Sequence, residues 1–118
     1  LIVCLTYPES LETYAENVLA IFEKQVRITG QAQGKNRPVT CSIGYTPLPL
    51  IREMPTSISV QDHVKIADQA MYMSKMSGRN TWHGVEAYRP PASEAEVKKL
   101  IESIEYGEKV RYIRILHP

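Results

Sequence analysis

The chain has 118 residues, with 14 Lys and Arg against 13 Asp and Glu, 43% hydrophobic residues and two cysteines. That is one domain's worth of chain, and a formal charge of +1 gives no reason to expect nucleic acid or an anionic membrane as partner. There is no apolar run of about eighteen residues to predict a membrane span, and no basic stretch leading into an apolar one to predict a signal peptide.

Residues 1–6 form a continuous apolar run and read as a central strand, broken by Tyr7 and Pro8. The chain opens on Leu1 in the middle of that strand, so a fragment of a longer protein is expected. Ser10 can cap the next helix, with Glu9 and Glu12 near its positive end. Leu11, Ala15, Val18, Phe22 and Val26 then recur at helical spacing, which predicts an amphipathic helix over about 10–26. Residues 26–29 suit a short strand. Residues 30–37 are polar and glycine-containing, a loop or hairpin connection. Val39, Cys41 and Ile43 alternate with Thr40 and Ser42, a period-two strand ended by Gly44 and Tyr45. Pro47, Pro49 and Pro55 exclude regular structure over 46–59.

Ser59 and Asp62 have the spacing of a capping box, and Val60, Val64, Ala67 and Met71 predict a helix to about Ser77. Gly78 is placed to close it in the left-handed conformation. Residues 81–86 read as a strand, and Pro90 and Pro91 as part of a linker. Ser93 and Glu96 form a second capping box. A short helix carrying Val97, Leu100, Ile101 and Ile104 follows, ended by Gly107, then a last strand over 109–116. The alternation of strands and helices predicts an α/β fold, an α+β sandwich with helices packed on a central sheet.

Cys4 and Cys41 form no C-x-x-C pair and read as buried thiols in a reducing compartment. His63, His83 and His117 show no metal-ligand spacing. Ser42 lacks the context of a hydrolase nucleophile. Asp68 reads as a surface carboxylate, Met71 as core, and Tyr72 and Trp82 as packing residues.

The informative stretch is Ala67-Asp68-Gln69-Ala70-Met71-Tyr72-Met73-Ser74-Lys75-Met76-Ser77-Gly78-Arg79-Asn80. It closely resembles the C-terminal signature of the GGDEF domain, the catalytic domain of bacterial diguanylate cyclases, with pattern A-D-x-A-L-Y-x-A-K-x-x-G-R-N. Met71 stands where Leu is usual, and Ser74 where Ala is usual. Val39-Thr40-Cys41-Ser42-Ile43-Gly44 resembles the family's V-T-x-S-I-G strand. The opening run followed by Ser10-Leu11-Glu12 is similar to the strand and helix after the GG[DE]EF turn. The resemblance covers about residues 1–84.

The resemblance implies the C-terminal half of a GGDEF, nucleotidyl-cyclase-like domain. Residues 1–86 would be that half, 87–92 a linker and 93–118 a helix–strand extension of unassigned role. An intact domain of this family condenses two GTP into cyclic di-GMP and pyrophosphate, with magnesium, two domains facing each other. Its metal carboxylates and most of its guanine pocket would lie upstream of Leu1, so no catalytic or metal-binding residue is expected within this chain, and the chain alone is expected to be inactive. Lys75 and Arg79 match the family positions that contact the GTP phosphates. Cations there would hold a phosphate chain and stabilise charge developing in phosphoryl transfer. Their spacing puts both on one side of the helix if its last turn stays helical, while a reversal at Gly78 could re-aim Arg79. Expected partners of the parent are GTP, cyclic di-GMP and a second copy, in the cytoplasm of a bacterium. The rival reading is a degenerate GGDEF domain that binds GTP or cyclic di-GMP as a regulator, or serves purely in interaction.

Overall fold

A computed structural model describes residues 10–25, 27–30 and 35–118. The expected opening strand over 1–6, Cys4, Val26 and the middle of the hairpin connection lie outside these. The chain divides into two compact units, Leu1–Cys41 and Ser42–Pro118.

In the first unit, α1 spans Leu11–Gln25. Ser10 starts it as the sequence predicts: its hydroxyl accepts the Thr13 N–H at 3.3 Å and its carbonyl the Tyr14 N–H at 3.1 Å. Ala15 is buried on this helix, and Leu11, Val18 and Phe22 are half-buried. Two short strands follow, β1 (Arg27–Gly30) and β2 (Lys35–Pro38), paired antiparallel with Arg27 opposite Pro38. Gly30 and Lys35 to Arg37, expected in a loop or hairpin connection, thus lie in paired strands.

The second unit is an α+β assembly. Its elements are β3 (Ile43–Tyr45), α2 (Val60–Met76), β4 (Trp82–Ala87), α3 (Glu94–Glu102), α4 (Ile104–Lys109) and β5 (Ile113–Leu116). The sheet is mixed, in the order β3-β4-β5: β3 runs parallel to β4, and β5 antiparallel to it. Parallel neighbours need a crossover, and α2 supplies it. The strand expected over 39–43 is shorter and displaced. Residues 39–42 take no regular form, and Gly44 and Tyr45, expected to end the strand, lie inside it. The reason is the partner: β4 offers pairing only where Trp82, His83 and Gly84 lie opposite Ile43, Gly44 and Tyr45.

Between β3 and α2 the proline-rich segment has no helix or strand, as its composition requires. His63 fastens it. Its Nε2 accepts the Leu50 N–H at 2.9 Å, and its Nδ1 donates to the Ser59 carbonyl at 2.8 Å. That pairing requires the neutral ring protonated on Nδ1. Leu50, Ile51 and Ile58 thereby enter the core with Ile66, Ala70, Val85, Val97, Leu100, Ile101, Ile104, Ile113 and Ile115. Each fully buried Ile or Leu contributes on the order of 2 kcal/mol from apolar burial.

The C-terminal segment departs most from expectation. A single helix closed by Gly107 was the expectation; there are two, broken at Ser103, whose φ of −148° and ψ of 108° are extended. Gly107 is buried inside α4. The break is stable because Gln69 of α2 bridges it: its amide donates to the Ile101 carbonyl at 2.6 Å and its oxygen accepts the Ile104 N–H at 3.0 Å. The last strand begins at Ile113 rather than 109, because the chain first turns through Arg111 at a φ of 62°. The Tyr112 carbonyl accepts the N–H groups of Tyr88 and Arg89, and the Arg89 guanidinium bonds the carbonyls of Val110 and Arg111. The proline segment after β4 is thus pinned, and α3, α4 and β5 belong to the same unit as α2 and β4.

Candidate functional site

The site is built from the end of α2 upward. Ser59 caps this helix, accepting the Asp62 N–H at 3.1 Å. At the other end Ser77 is the last residue before the reversal. Gly78 takes a φ of 102°, a conformation that side chains resist, and Arg79 and Asn80 follow at 64° and 48°. The Arg79 N–H donates to the Ser74 carbonyl at 3.1 Å, the longer bond of a Schellman closure. The last turn therefore does not continue through Arg79. The two cations flank a left-handed reversal, instead of sharing one helical face.

Lys75 and Arg79 are both exposed. Neither makes a side-chain hydrogen bond or ion pair with any described residue. Two cations beside the negative end of a helix dipole are well tolerated.

What anchors this helix end is Ser74, which is fully buried. Its hydroxyl lies 2.7 Å from the Ile43 carbonyl of β3 and 2.8 Å from Nδ1 of His83 on β4. A second fixed point is Gly44. A methyl group there would run into the Ala67 carbonyl and the Met71 backbone of α2, so strand and helix touch backbone to backbone. Ile43 and Gly44 of β3 thus pack on Ala67, Met71 and Ser74 of α2, from distant parts of the chain.

His83 is 7% exposed, and its ring lies 5.7 Å from that of His117, centroid to centroid. Burial, and then the neighbouring His117, hold its proton affinity below the ordinary histidine value. Cys41, expected to be buried, is a half-buried free thiol whose pKa is pushed up by that partial burial. Sequence reasoning missed Ser74 and His83. The only signal was the serine in place of the usual alanine.

The remaining expectations fall as follows. Trp82 is packed, 3% exposed, with its ring 5.8 Å from that of Tyr45. Tyr72 is not a packing residue: it is 62% exposed, because α2 turns that side away from the sheet. Asp68 is exposed and lines a shallow cleft with Tyr72, Met73, Ile104 and Glu105. Met71 is half-buried over Gly44. Among the described residues no three His, Cys, Asp or Glu side chains stand together to hold a metal ion. No described helix is long and apolar enough to cross a membrane. Compared with known proteins, the chain matches no family model, no curated protein and no solved structure at a significant level.

Proposed function

We propose that this chain is part of a GGDEF-type domain of a bacterial signalling protein, whose intact form condenses two GTP into cyclic di-GMP and pyrophosphate. The observation that carries the reading is the packing of Ile43 and Gly44, the end of the first block, against Ala67, Met71 and Ser74 of the second. Both blocks resemble the same family, and a chance resemblance has no reason to bring them into backbone contact.

In this reading Lys75 and Arg79 hold the GTP phosphates. Lys75 supplies a compact charge and Arg79 a planar fork, and their exposure leaves both available. Both act by placing positive charge where negative charge builds during phosphoryl transfer. Magnesium and its carboxylates belong to the proposed parent domain, and no step is assigned to them here.

The test is made in the full-length protein that contains this sequence. Lys75→Ala and Arg79→Ala should each lower kcat/KM for cyclic di-GMP formation by roughly 100-fold, the loss expected for one electrostatic contact in a transition state. Among the described residues neither side chain has a hydrogen-bond or ion-pair partner, so folding should be unchanged by circular dichroism. Unaltered GTP affinity and turnover in the double variant would overturn the phosphate role. GTP binding without turnover in the unsubstituted protein would give the regulatory reading instead.

A further inference from the structure

Of the three histidines, His63 uses both ring nitrogens inside the fold: Nδ1 donates to the Ser59 carbonyl and Nε2 accepts the Leu50 N–H. His83 and His117 differ. The Ser74 hydroxyl has one proton, which it donates to the Ile43 carbonyl. Nδ1 of His83, 2.8 Å from that hydroxyl, is therefore the donor between them. A carbonyl only accepts, so Nδ1 of His117, 3.0 Å from the Pro118 carbonyl, is a donor too. Both neutral rings thus carry their proton on Nδ1. Each keeps a lone pair on Nε2, and no described residue bonds either Nε2.

The sheet brings these two rings together. Leu116 of β5 lies opposite Gly84 of β4, and the same antiparallel register carried one residue further sets His117 opposite His83. Their ring centroids are 5.7 Å apart, with the planes inclined at 33°. Two imidazoles bound to one ion by nitrogen–metal bonds of about 2 Å have centroids about 5 to 6 Å apart, so the observed separation suits a shared ion. The bonds at Nδ1 are those that metal-binding histidines usually make. The second ring nitrogen donates to an oxygen, which fixes the ring and leaves Nε2 for the metal.

We propose that His83 and His117 form a cross-strand site that binds one late first-row divalent ion, such as zinc, through their Nε2 atoms. Imidazole suits zinc, copper and nickel, whereas magnesium takes oxygen ligands. The site is thus separate in its chemistry from the magnesium of the proposed parent domain. Two protein ligands leave the remaining positions of a tetrahedral ion to water, so the site is open rather than closed. His117 is exposed and gives the ion a way in, while Ser74 holds the buried His83 ring in place. Bound there, the ion ties the chain after β5 to β4. Sequence spacing gives no sign of such a pair, because only the strand register makes the two residues neighbours.

The test is a zinc titration of the 118-residue chain, labelled with nitrogen-15, at about pH 7.5, where histidine is mostly neutral. Before zinc is added, both rings should show Nδ1 protonated and Nε2 bare. Zinc should then shift Nε2 of His83 and His117 together and leave Nε2 of His63 unmoved. An ion that binds only the folded chain should also raise the denaturant midpoint. His117→Gln replaces an exposed side chain, so it should fold as the unsubstituted chain does. In it, the zinc needed to half-shift His83 should rise by more than about tenfold, the loss that even an outer partner of a metal ligand causes. The rise in midpoint should vanish with it. His83→Asn should have the same effect on the shift at His117. Nε2 atoms unmoved by zinc in large excess, an equal response to magnesium, or a His83 shift that persists unweakened in His117→Gln would each overturn the site.

Discussion

At Gly44 the β3 backbone comes so near α2 that a single methyl group meets the Ala67 carbonyl and the Met71 main chain. Backbone cannot rotate aside as a side chain can, so the helix itself must shift. Gly44→Ala should therefore destabilise the second unit by about 3 kcal/mol, at the upper end for overpacking, read as a lowered denaturant midpoint. A loss under about 0.5 kcal/mol, typical of a surface change, would mean that strand and helix are not in contact there. Gly78 is the contrasting case. Open space surrounds its Cα, and only its positive φ restricts what can stand there. Gly78 was legible in the sequence as a helix stop. The close approach at Gly44 was not, since it depends on a helix that starts sixteen residues further on.

Among the elements, the division between α3 and α4 shows how a distant side chain sets a boundary. Val97, Leu100, Ile101 and Ile104 keep helical spacing, so the sequence reads as one helix. The break at Ser103 persists because Gln69 supplies an acceptor and a donor to the interrupted backbone. Removing that carboxamide leaves a part-buried carbonyl and N–H unsatisfied together. Gln69→Ala should cost about 2 kcal/mol by chemical denaturation and speed hydrogen exchange at the Ile104 amide. Unchanged exchange at Ile104 would show that the break needs no support from α2. The second capping box is altered in a similar way. Ser93 caps α3 as expected, accepting the Glu96 N–H at 3.3 Å, but the Glu96 carboxylate accepts the Tyr106 hydroxyl at 2.6 Å instead of reaching back.

Over the whole molecule, these contacts predict acid sensitivity in two stages. His83 binds a proton less readily folded than unfolded, so the unfolded chain takes up more protons as pH falls. The stability linked to a neutral His83 is complete above its ordinary value of 6.5, and is lost as pH drops from there through the lowered folded value. The Tyr106 hydrogen bond, aided by Lys99, holds the Glu96 carboxyl below its ordinary value of 4.5, and the same sign applies. Its contribution is complete above that value and disappears as pH falls through the folded one. Denaturant midpoints should therefore decline in an upper limb below 6.5, absent in His83→Asn, and a lower limb below 4.5, absent in Glu96→Gln. A midpoint that holds level across the upper range would show that His83 carries no linked stability.

The sequence by itself determined the local features: the starts of α1, α2 and α3 at Ser10, Ser59 and Ser93, the stop at Gly78, and the irregular proline segment. Each is encoded within a few residues, by a hydroxyl that reaches one turn ahead or by a backbone angle that one residue type allows. Only the tertiary structure decided where β3 begins, that α3 and α4 are separate, that β5 joins β4, and that Ser74 meets His83. Those outcomes depend on hydrogen-bond partners brought together from distant parts of the chain, and no local spacing records which donor will find which acceptor.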